Sequence, residues 1–93
     1  MYDAEVTRMR ELIRRRRYVM TLHAEDEMTA DGLSIFDVES AILTGQISER
    51  QRDREPEEWK YLLTGEGLRG DSISVVARFS LTGKLIIITV YRE

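Results

Sequence analysis

His23, the chain's only histidine, carries the one side chain whose unperturbed pKa lies near neutrality, so it is the first candidate for moving a proton. It stands at the start of a predicted helix, where a histidine also serves in capping or packing, and both roles stay open. Glu27, four residues on, shares its helix face. One histidine with carboxylates lacks the further nitrogen or sulfur ligands of a zinc set, so no metal or other cofactor is expected. A second constellation is cationic. Ser48, Arg50 and Arg52 alternate on one predicted strand, Lys60 lies on the next and Arg78 on the third, with Tyr61 or Tyr91 at the margin. If those strands pair as a meander, the cations converge on one surface that would hold RNA phosphates while aromatic rings take the bases. The same alternation also describes an ordinary solvated sheet face. Tyr91 and Arg92, being adjacent, point to opposite faces of a regular strand.

Other chemistries find no support. Cysteine is absent, which removes disulfides, thiolate ligands and thiol nucleophiles and agrees with a reducing cytosol. No glycine-rich phosphate loop, nucleotide-binding fingerprint or serine nucleophile motif is present. The N-terminal stretch is charged from Asp3, and the apolar run Leu85 to Val90 is far short of the roughly 20 residues of a membrane span. A soluble, cytoplasmic protein is therefore expected, without membrane partners.

These candidates must be positioned by the 93 residues of a single domain, enough for one modest core. Positions 1–45 read as helical and 46–93 as sheet. Asp3 to Arg17 is an amphipathic helix with Asp3 as expected N-cap and Val6, Met9, Leu12 and Ile13 on its apolar side. Arg14 to Arg17 would oppose the negative end of its dipole. Tyr18 to Leu22 is an extended link or brief edge strand. Thr21 caps a short helix over about 22–31 that Gly32 stops in the left-handed conformation. Ser34 and Asp37 form a capping box for the next helix, whose apolar stripe is Ile35, Val38 and Ile42 and whose end is Gly45.

Four strands are predicted over 46–52, 58–64, 72–80 and 84–92. In the third, Ile73, Val75, Ala77 and Phe79 share a face. The fourth, LIIITVY, is apolar on both faces and is expected to be central and covered on both sides over part of its length. Trp59, Tyr61 and Leu63 make one face of the second strand apolar, as in a core or an oligomer contact. Thr82-Gly83 signals a hairpin. The charged stretch Asp53 to Glu57, with the only proline, reads as a surface loop.

The net charge of −3 argues against a globally basic nucleic-acid binder, but charge is segregated along the chain. Met1 to Leu22 has six basic and three acidic residues, His23 to Ile47 none and six, and the remainder eight of each. Only Lys60 and Lys84 among the fourteen cations are lysine, a bias toward forked, bidentate partners such as phosphate or carboxylate.

The succession HAxxxM, DGLS with DVExAI and TGQI, EWKYLL and KLIIITVY, over Tyr18 to Arg92, resembles a large bacterial family of small proteins of unknown function. That family looks like a relative of the MqsR and RelE ribonuclease toxins. The resemblance implies an α+β fold with two or three N-terminal helices on a four-stranded antiparallel sheet, and metal-independent mRNA cleavage. It also implies a type II toxin–antitoxin setting with an MqsA-like zinc-finger antitoxin as partner; self-association is left open. Carried onto this chain, Arg50, Arg52 and Lys60 would anchor phosphates and Arg78 would stabilise the transition state. Tyr91 or His23 would assist proton transfer as the 2′-hydroxyl attacks the adjacent phosphate. Many members carry arginine where Glu27 and Asp31 stand here, so acids replace cations on this helix and speak against an RNA-facing role for it. The alternative is a non-catalytic protein-binding or regulatory module on the same scaffold.

Overall fold

The computed structural model describes residues 1–52 and 58–93; the predicted loop Asp53 to Glu57 lies outside them. Its elements run α1 (Asp3–Arg14), β1 (Tyr18–Met20), α2 (Leu22–Ala30), α3 (Ile35–Thr44), β2 (Gln46–Arg52), β3 (Trp59–Glu66), β4 (Ser72–Phe79) and β5 (Leu85–Arg92). The described residues form an α+β fold, three helices with one five-stranded sheet of order β1-β5-β4-β3-β2. The expected sheet of four antiparallel strands is thus incomplete. Tyr18–Met20 joins it as a fifth strand, parallel to β5 through Tyr18 with Leu85 and Met20 with Ile87. The sheet therefore reaches into the part read as helical; three residues of alternation are too few to declare a strand without its partner in view.

The helix boundaries after the first have local causes. α1 starts at Asp3, but its N-cap is Tyr2, in the left-handed conformation with φ 56° and no side-chain cap. The Tyr2 ring packs edge-on to Tyr61, 6.1 Å between centroids, so a tertiary aromatic contact displaces the expected aspartate cap. The helix stops three residues before Arg17. The amides of Arg16 and Arg17 donate back to the carbonyls of Ile13 and Leu12, a Schellman closure with Arg16 left-handed at φ 57° where glycine is usual. The same closure ends α2, through Gly32 and Leu33 onto Thr29 and Met28, there with Gly32 at φ 68°. Thr21 Oγ1 accepts from the Ala24 amide, and Ser34 and Asp37 form the predicted capping box. Gly45 follows α3 in extended conformation, its carbonyl accepting from Arg10 Nη2 at 2.7 Å.

α1 and α3 pack on one sheet face. Met9, Leu12 and Ile13 meet Val38, Ala41 and Ile42 over Leu63, Ile73, Val75, Ala77, Leu85, Ile87 and Val90. The alternation predicted for β4 holds, with Ile73, Val75 and Ala77 buried. In β5 a bulge sets Val76 opposite Thr89 and Ala77 opposite Ile87, so the extra residue lets Leu85, Ile87 and Val90 all face the core. Its long apolar run thus serves one covered face and a bulge rather than two covered faces; Ile86 and Thr89 remain half-exposed. α2 lies along β5 beyond the reach of β1. Glu27 Oε1 accepts from the Val90 amide at 3.2 Å and Asp31 Oδ2 from that of Arg92 at 2.9 Å, satisfying backbone donors that a neighbouring strand would otherwise take.

Candidate nucleic-acid interface

A bulge at Ser48 decides where the cations go. Ile47 is opposite Leu63 but Glu49 is opposite Leu62, so Ser48 drops out of the alternation and the rest of β2 steps by one. Arg50 then pairs with Tyr61 and Arg52 with Trp59, on the helix-covered side of the sheet. Lys60 and Arg78 fall on the opposite side. The single convergent surface expected for Arg50, Arg52, Lys60 and Arg78 is therefore two surfaces, and Ser48 does not share a face with the two arginines.

The helix-side group is tightly organised. The Arg50 guanidinium lies 4.0 Å from the Trp59 ring centroid and 5.8 Å from that of Tyr2; Arg52 lies 4.9 Å over Trp59. From α1, Arg8 covers the Phe79 ring at 4.5 Å. Tyr61 sits between Tyr2 and Phe79 in edge-to-face contact with both. Flat, always-charged guanidiniums stack on aromatic faces while keeping in-plane N–H donors for an oxygen ligand. Tyr61 is buried and Trp59 is 38% exposed, so the patch has a rigid floor and an accessible ring. It can present several phosphate-binding forks beside aromatic surface. Nothing in the sequence marks Tyr2, Arg8 or Phe79 as part of such a patch. Phe79 belongs by its alternation to the apolar face of β4, and nothing local to Tyr2 or Arg8 announces that α1 brings them to the β2–β3 hairpin. The usable signal was the mirrored spacing of Arg50/Arg52 and Trp59/Tyr61 on the two arms.

The other candidates lie apart. On the far face Arg78 Nη1 donates to Glu58 Oε2 at 2.5 Å, with both side chains largely shielded. Tyr91 is opposite Ser74, four residues along β4 from Arg78, a separation of about 13 Å at strand rise. His23 is on α2 with its side chain 68% exposed, 3.2 Å from the Glu27 oxygen that also receives the Val90 amide. Arg78, Tyr91 and His23 do not share a site. Arg92 is on the helix side with Asp71 at 3.2 Å, and Tyr91 faces away, as their adjacency requires. Glu27 and Asp31, acids where the related sequences were expected to carry arginines, are the acceptors that close the β5 edge.

The profile of the family described as "Domain of unknown function (DUF4258)" matches residues 20–92. No curated protein and no solved structure matches the chain.

Proposed function

We propose that this chain, which belongs to the DUF4258 family, binds single-stranded RNA on the Arg50, Arg52 and Trp59 face, in the manner of a small toxin-type protein paired with an antitoxin. The observation that carries the reading is the stack itself. Two guanidiniums within 5 Å of one half-exposed tryptophan offer phosphate forks and base-stacking surface together. Arg8 extends the positive surface toward α1. The setting, a type II module with an MqsA-like antitoxin, rests on the sequence resemblance alone.

RNA cleavage by Arg78, Tyr91 and His23 draws less support, because they stand on a different face and a different element from the stack. A non-catalytic RNA- or protein-binding module accounts for that separation better than a nuclease assembled from the three. Purified protein titrated into a fluorescently labelled RNA single strand tests both readings. Binding that Trp59→Ala weakens about 10- to 100-fold supports the interface, since one stacked base contributes about 1–3 kcal/mol. Wild-type protein that leaves the anisotropy unchanged at low salt rejects it. The same samples, run on a denaturing gel, report cleavage; products that disappear in Arg78→Ala but persist in Trp59→Ala would restore the nuclease reading at the other face.

A further inference from the structure

Beside the stack is a recess of about 190 Å³ walled by Trp59, Tyr61, Phe79, Leu81 and Glu58. It is smaller than the roughly 300–1,000 Å³ of sites that enclose drug-sized ligands, so it suits one flat ring rather than an extended chain. Its inner walls are set. Tyr61 and Phe79 meet edge to face at 5.9 Å and 67°, and Tyr2 fixes the other flank of Tyr61. Its outer lip is apolar yet in solvent: Leu81 is 96% exposed at the start of the β4–β5 turn, and Trp59 is half-exposed. Around this apolar recess stand three guanidiniums, Arg8 on Phe79 and Arg50 and Arg52 on Trp59. Among the described residues the acid in the wall is Glu58, which is paired with Arg78.

An occupant that matches this arrangement has an apolar, planar body and negative charge close to it on its connections. An aliphatic side chain makes no use of the Arg8 and Arg50 guanidiniums, and a carboxylate leaves the recess empty. Resting on the RNA reading of the same face, we infer that the recess takes one unstacked base of the strand, with its flanking phosphates on Arg50 and Arg52. The substrate class is then unpaired RNA. In a duplex the base is paired and stacked, and extracting it costs a few kcal/mol. Leu81 closes over the exposed edge of the base, which gives a function to an apolar side chain that makes no contribution to the core.

Trp59 is the only tryptophan, so its fluorescence reports occupancy directly. The experiment titrates the full chain with an RNA octamer, with the same ribose-phosphate backbone lacking all bases, and with the octamer as a duplex. The expected result is quenching by the single strand and binding at least about tenfold tighter than to the abasic backbone or the duplex, the scale of one stacked base. Leu81→Ser, at a site 96% exposed to solvent, should shrink that preference. Equal affinity for the base-bearing and abasic strands, or for the duplex, overturns the recess and leaves the RNA reading standing. Absence of binding to every RNA overturns both. Quenching by polyglutamate that RNA does not compete away overturns both as well, and identifies an acidic protein segment as the occupant.

Discussion

A phenol beside a carboxylate keeps its proton, and Tyr18 shows the consequence. Its hydroxyl donates to Glu39 Oε2 at 2.5 Å; burial first, and then this hydrogen bond and the Glu39 charge, push its pKa up to about 12. A group whose folded pKa is raised stabilises the fold below its unfolded value and loses that contribution as pH climbs through the folded one. Stability measured by urea melts should therefore fall between about pH 10 and pH 12, and Tyr18→Phe should flatten that part of the profile. Gly65 carries a different constraint. A Cβ there would lie 1.9 Å from the Ala41 carbonyl oxygen, a backbone atom of α3 that cannot swing aside. Gly65→Ala should cost about 3 kcal/mol in a denaturant titration, at the upper end of overpacking effects, by forcing α3 off β3. Neither residue was legible as special in the sequence. Tyr18 lies in a short stretch readable as link or strand, and nothing local marks Gly65, because the helix above it is brought there by tertiary packing. Arg50 and Arg52, by contrast, stood out as candidates through type and spacing, whereas Trp59 read as a core or oligomer contact, and the side of the sheet on which the arginines lie waited on one bulge residue, Ser48.

The helices were the most legible elements because their ends are written in short-range chemistry. Ser34 and Asp37 illustrate it: each accepts from the other's amide, and Asp37 Oδ1 also receives the Leu68 amide from the β3–β4 turn. Ser34→Ala should destabilise the protein by about 1 kcal/mol, the usual worth of an N-cap, read as a shift of the urea midpoint. The hydrogen bonds from the Ser34 and then the Leu68 amide hold the Asp37 carboxyl below the ordinary carboxylate range. For a depressed pKa the stabilisation is present above the unfolded value and is lost as pH falls through the folded one. Asp37→Asn should accordingly weaken the acid dependence of stability. The edge of β5 was not legible at all. A helix advances about 6 Å in four residues and a strand about 6.8 Å in two, so Glu27 and Asp31 can serve the amides of Val90 and Arg92 together. Only the tertiary placement of α2 reveals that match. Glu27→Ala with Asp31→Ala should speed hydrogen exchange at those two amides while amides in β3 stay protected; unchanged exchange would mean that α2 does not seal the edge.

At the scale of the whole molecule, the net charge is a poor guide to the local charge of any one surface. The acids of α2 sit beside β5 and β1, whereas Arg50 and Arg52 sit on β2 at the opposite end of the strand order. The net charge of −3 therefore does not exclude a locally cationic surface, and Arg14 to Arg17, which lead into β1, place further positive charge at the other end of the strand order. The cations are further divided between the two faces, Arg50 and Arg52 on the helix side and Lys60 and Arg78 on the other. One strand following the stack along the helix side need not meet the second pair. If RNA neutralises Arg50 and Arg52 through phosphates, each removal lowers the slope of log K against log salt by about 0.7, the single-strand value per contact. Arg50→Ala and Arg52→Ala should each show that reduction, and Lys60→Ala should leave both slope and affinity unchanged. The reverse pattern, with Lys60 altering the slope and the arginines not, would move the interface to the open face of the sheet. There Arg78 and Tyr91 reside, and the ribonuclease reading would return with the RNA lying across both.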